Sequence, residues 1–72
     1  MTKWEYLEVT PSYRKNTLRP MWVNGEMLPD WASEPQFFDY LKQLGDQGWE
    51  LVTVTKVSDQ PGTYYFKRLK SE

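Results

Sequence analysis

Glu5 and Glu50 each directly follow a tryptophan, and each lies in a stretch whose composition favours a strand. On neighbouring strands the two carboxylates can approach one another, and a carboxylate pair is the apparatus of glycoside hydrolysis. The rest of the composition argues against catalysis. The chain has no histidine and no cysteine, so the usual general base, the strongest nucleophile and the common zinc ligands are absent. The plainer reading makes these glutamates solvated strand charges, or partners for Lys67 or Arg68 across a sheet. A catalytic pair also needs a cleft, which so small a domain struggles to supply. We therefore read the chain as non-enzymatic and assign no catalytic residue.

Metal and nucleic-acid chemistry fare little better. Asp30, Glu34 and Asp39 are close in sequence, yet their spacing is not that of a calcium loop. Asp30 and Glu34 more naturally favour the positive end of a helix that follows them. No metal and no cofactor are expected. Tyr64-Tyr65-Phe66-Lys67-Arg68 has the aromatic and basic types that stack and hold single strands. Nine basic against ten acidic residues, however, leave a net charge of −1, without the basic excess that drives phosphate binding. No nucleic-acid partner is expected.

The elements that must position these residues follow from pattern and punctuation. Seventy-two residues make one domain, 1–72, and a chain of this size has a thin margin of stability. Without disulfides, its four Trp, five Tyr and three Phe supply the missing mass. Residues 3–10 read as a strand that Pro11-Ser12 bends or ends, and 14–20 as a loop. Residues 21–28 form a hairpin about Asn24-Gly25, whose type I′ turn pairs Val23 with Glu26, Trp22 with Met27, and Met21 with Leu28. Ser33 and Gln36 have the spacing of a capping box, so a helix is expected over 34–47, with Phe37, Leu41 and Leu44 on one stripe and Gly48 as its left-handed cap. Strands over 49–57 and 63–69 complete the chain, joined by a turn over 58–62. The expected fold class is α+β: an antiparallel sheet of about four strands with one helix packed on one face.

Three segments, Trp4-Glu5-Tyr6, Leu44-Gly45-Asp46-Gln47-Gly48-Trp49-Glu50-Leu51-Val52 and Tyr64-Tyr65-Phe66-Lys67-Arg68, occur in that order. Together they resemble a family of small bacterial proteins known only as a domain of unknown function, with the pattern W-E-Y, L-G-x-x-G-W-E-L-V and an aromatic Y-F-K-R strand. The resemblance covers the first strand and the chain from about Ser33 onward. It implies the same α+β fold and no catalytic residue. The segment from Arg14 to Trp31 reads as an insert.

One helix cannot cover both faces of a sheet, so large apolar groups on the other face must meet something else. The expected function is a non-catalytic module that self-associates, a dimer being favoured, with another protein as a further possible partner. The expected contact residues are Trp4, Tyr6 and Trp22, with Tyr64 or Tyr65 according to which face is free. The alternative is a small-ligand or peptide binder with an aromatic pocket in the 13–31 insert, built on Trp22 and Trp31. No membrane partner is expected, because no apolar run approaches the ~20 residues of a membrane span; the N-terminus shows no apolar signal core and points to the cytoplasm.

Overall fold

The computed structural model describes residues 2–56 and 58–70. It is α+β, with one antiparallel five-stranded sheet and one α-helix. In chain order the elements are β1 (Trp4–Arg14), β2 (Thr17–Val23), β3 (Glu26–Met27), a 3-10 turn (Trp31–Ser33), α1 (Phe37–Asp46), β4 (Glu50–Thr55) and β5 (Thr63–Leu69). The spatial order is β3-β2-β1-β5-β4. The chain thus builds half the sheet, crosses it with the helix, and adds the last hairpin to the other side of β1.

The fifth strand is a correction with a local cause. β1 does not end at Pro11 but runs on to Arg14, and the expected loop over 14–20 is most of β2. Lys15 and Asn16 both adopt left-handed backbone (φ 51° and 63°), so they form the tight hairpin turn usually signalled by Asn-Gly. Pro11 stands opposite Pro20, directly after a register shift at Thr10/Pro11. Proline is tolerated in a sheet at such an irregularity, where the ladder does not call on its missing N–H. Both prolines are buried.

The Asn24-Gly25 turn forms as expected, with left-handed φ at both positions (52° and 83°) and Trp22–Met27 and Val23–Glu26 paired. The third expected pair is joined by the Leu28 N–H donating to the Met21 carbonyl, 2.8 Å. Asn24 also ties this turn to β1: its N–H donates to the Glu8 carbonyl, and its Oδ1 accepts from the Glu8 N–H at 3.0 Å.

The helix is shorter than the expected 34–47. Ser33 closes the 3-10 turn and does not cap α1; its hydroxyl donates instead to Asp30 Oδ1. Pro35 explains the break. It forces the preceding Glu34 into extended backbone (ψ 158°), so α1 starts only after Gln36, which makes no side-chain cap bond. At the other end Gly48 takes the left-handed cap (φ 90°) as expected. The Trp49 N–H reaches the Leu44 carbonyl and the Gly48 N–H the Gly45 carbonyl, both at 3.0 Å, which is the Schellman arrangement. Trp49 then packs against the core that Leu44 helps to form.

Val9, Phe37, Leu44 and Phe66 make that core, with Leu7, Leu18, Val23, Tyr40, Leu41 and Tyr64 against it. Leu7 is opposite Phe66, and Val9 opposite Tyr64 and Val23, so the helix covers the face carrying these residues. β4 is an edge strand, and all six of its residues are exposed. Its expected last residue, Val57, lies outside the described residues. Gly62 permits the return to β5: a Cβ there would stand 1.9 Å from the Thr55 carbonyl oxygen.

Candidate functional site

Since Leu7, Val9 and Phe66 face the helix, their neighbours in β1 and β5 face the other way. Tyr6, Glu8 and Thr10 alternate with the core residues of β1, and Thr63, Tyr65 and Lys67 with those of β5. Pairing ties the two sets together: Glu8 is opposite Tyr65, Tyr6 opposite Lys67, and the Thr10 and Thr63 hydroxyls lie 2.9 Å apart. Trp22, opposite Thr10, and Met27, opposite Trp22, extend the same face over β2 and β3. Among the described residues no helix covers this surface.

The six expected contact residues separate accordingly. Trp4, Tyr6, Trp22 and Tyr65 share the open face. Their exposure is 41% for Trp4, 70% for Tyr6 and 39% for Trp22, with Tyr65 half-buried. Tyr64 belongs to the covered face, its ring edge-on to Phe37 at 4.7 Å, so of the two tyrosines Tyr65 is the one on the open side. Trp31 is half-buried in the 3-10 turn, which packs against β2. The turn is held there by the Arg19 guanidinium, which donates to the Glu34 carbonyl.

A β-bulge adds to the open face. Leu51 is opposite Phe66 and Thr53 opposite Tyr65, which leaves Val52 as an extra residue between them. Val52, Tyr6, Glu8, Asn24 and Tyr65 line a cleft of about 460 Å³. A second cleft, of about 670 Å³, opens at the end of the sheet between Trp4, Gln47, Glu50 and Lys67. Neither cleft is lined by Trp22 or Trp31.

The end of the sheet is also where the three sequence motifs meet. Lys67 and Arg68 are consecutive on β5 and so point to opposite faces. On the open face Lys67 Nζ sits 4.4 Å from the Trp4 ring centre and 4.0 Å from Glu50 Oε2. On the helix face Arg68 lies 4.2 Å from the Trp49 ring centre, pairs with Glu5 Oε1 at 3.1 Å, and donates to the Gln47 carbonyl. Each cation therefore takes a tryptophan from one side and a glutamate from the other, in crossed fashion, Trp4 and Glu5 lying in β1, Glu50 in β4 and Trp49 just before it. Cation–π contacts at partly exposed sites contribute about 0.5–1 kcal/mol each, and exposed ion pairs about 0–1 kcal/mol. The motifs thus have structural work in joining β1, β5 and the start of β4. Sequence reasoning considered Lys67 and Arg68 as partners for the glutamates but missed their stacking on the tryptophans.

This arrangement keeps Glu5 and Glu50 apart. They flank β5 from opposite sides and lie on opposite faces, each turned to its own cation. Asp30, Glu34 and Asp39 do not converge either: among the described residues no three acidic side chains form a group able to hold a metal. Among the titrating groups, Tyr40 is held above its ordinary value of 10.0, chiefly by burial and secondarily by the negative charge of Glu34. No helix among the described residues is long and apolar enough to cross a membrane.

Compared with known proteins, the chain matches no family model, no curated protein and no solved structure.

Proposed function

We propose that this protein is a non-catalytic module that associates with copies of itself through the open face of its sheet, with a two-fold dimer as the simplest arrangement. One observation carries the reading. Trp4, Tyr6, Trp22 and Met27 are all substantially exposed, and all lie on the face that the single helix leaves bare. Large exposed rings set among polar groups are the residue types that protein interfaces favour. Covering it would return roughly 25 cal/mol per Å² before the entropic costs of association. The polar groups on the same face suit an interface, with Glu8, Lys67 and the Thr10–Thr63 pair placed among the rings.

The alternative is a small-ligand or peptide binder. Its pocket was expected between Trp22 and Trp31, but the cleft beside Tyr6, Val52 and Tyr65 now supports it better.

Native mass spectrometry over a range of concentrations tests both. The expected result is a multiple of 8.7 kDa, with Trp22→Ala lowering the mass or weakening association. A bare monomer at every concentration overturns self-association. A monomer carrying extra mass overturns it too and favours the binder, and the added mass gives the ligand class.

A further inference from the structure

The two edges of the sheet are unlike. β3 offers only Glu26–Met27, closed on one side by the Asn24-Gly25 turn and soon followed by Pro29. The part of β2 that β3 does not pair carries Arg19 and Pro20 and belongs to the strand that packs against the 3-10 turn. β4 offers Glu50–Thr55, six residues with no proline and no lysine among them, every one exposed. Among the described residues no strand lies on its outer side. A row of its backbone N–H and C=O groups is left to solvent, a ready template for another strand. Short edges, lysines, prolines and bulges are the usual protections, and of these β4 has only the bulge at Val52.

We infer that β4 pairs antiparallel with β4 of a second copy of this chain, about a two-fold axis perpendicular to the sheet. Three observations select that occupant. First, the strand matches itself. Leu51 and Val54 stand opposite Phe66 and Tyr64 and so share the helix side, while Glu50 and Thr55 stand opposite Lys67 and Thr63 on the open side. An antiparallel register setting Leu51 against Val54 also sets Glu50 against Thr55, so like meets like on both faces. Second, that register brings the two bulges together beside the axis, Val52 of each copy against Thr53 of the other. Third, the one carboxylate of the strand lies at its start: antiparallel pairing keeps the Glu50 residues of the two copies at opposite ends, whereas a parallel arrangement would set Glu50 against Glu50.

This pairing is independent of the open-face contact and compatible with it. An axis perpendicular to the sheet leaves both open faces on the same side, in a continuous ten-stranded sheet. An edge of six residues falls short of the roughly 1,200 Å² of a standard interface, so the edge by itself makes a weak dimer. With face contact as well, two edge dimers stack into a tetramer with D2 symmetry.

The test compares native masses and hydrogen exchange for wild type, two edge variants (Val54→Lys and Leu51→Lys) and the face variant Tyr6→Ala. All three positions are well exposed, and circular dichroism confirms the fold of each. In wild type, the β4 amides that do not bond to β5 should gain protection, at least tenfold slower exchange, as concentration rises. Both edge variants should lose that gain and fall to half the wild-type mass, while Tyr6→Ala keeps it. If Tyr6→Ala lowers the mass and the edge variants do not, the edge pairing is overturned and the face reading stands. The reverse result upholds the edge and overturns the face. Wild type that is monomeric at every concentration overturns both.

Discussion

Leu7, Val9 and Phe66 come from the same two strands as Tyr6, Glu8 and Tyr65, one residue out of step. Val9 is fully buried and Phe66 is 3% exposed, whereas Tyr6 is 70% exposed. Neither strand distinguishes its faces by size, since each carries large rings or aliphatics on both. The difference is made by α1, which brings Phe37 and Leu44 to one side only. A face of this sheet becomes core by receiving a partner, and the other face keeps its rings exposed; on the proposed reading it receives one from another copy. Substitutions should therefore act through stability on the covered side and through association on the open side.

The largest effect should come from the covered face. Phe66→Ala removes a ring that meets both Leu7 and Leu51 across the sheet, with an expected loss of about 3–5 kcal/mol. For so small a domain that is most of the stability, and urea titration followed by tryptophan fluorescence should find the variant largely unfolded. Next in size is the β4–β5 return. Gly62→Ala drives a methyl into the Thr55 carbonyl, a backbone atom that can yield only by moving the strand. It should cost about 1–3 kcal/mol, read as a lower urea midpoint at unchanged slope.

A smaller effect comes from the phenol of Tyr40. Tyr40 is held above its ordinary value by burial first and Glu34 second, so the native state keeps a proton that the unfolded chain gives up. Its contribution is complete below the ordinary tyrosine range and is lost as pH rises through the elevated folded value. Denaturation measured from pH 8 to 11 should show stability falling at the alkaline end, with a shallower fall in Tyr40→Phe. The smallest change in stability is expected on the open face. Tyr6→Ala should change the unfolding free energy of the monomer, read by urea titration, by no more than about 0.5 kcal/mol while weakening association. A large loss of stability in Tyr6→Ala at concentrations where the protein is monomeric would break the contrast between the faces.

The insert shows how a turn can go unseen. Asn24-Gly25 announced its hairpin because those residues accept positive φ at little cost. Lys15-Asn16 makes the same turn without the glycine, within a polar, mixed stretch between two prolines that reads as a loop. Only the pairing of β2 along β1, with the irregularity at Thr10/Pro11, gives those prolines a place. The capping-box spacing of Ser33 and Gln36 misled for a similar reason: local geometry imposed by Pro35 on Glu34 outweighed a favourable side-chain bond.

Local chemistry was enough for the sequence to determine the α+β class, the Asn24-Gly25 hairpin, the left-handed helix stop at Gly48 and the strand from Thr63 to Leu69. Each depends on backbone preferences acting within a few residues. Period-two alternation likewise separated Tyr64 from Tyr65 and Leu7 from Tyr6. Which member of each pair is buried depends on where the helix lands, and that is settled by packing between residues far apart in the chain. The same holds for the crossing of Trp4, Glu5, Trp49 and Glu50 about Lys67 and Arg68, and for the edge position of β4. β4 reads locally as the surest strand, yet it is exposed along its whole length because strand order, unlike strand propensity, is a property of the assembled sheet.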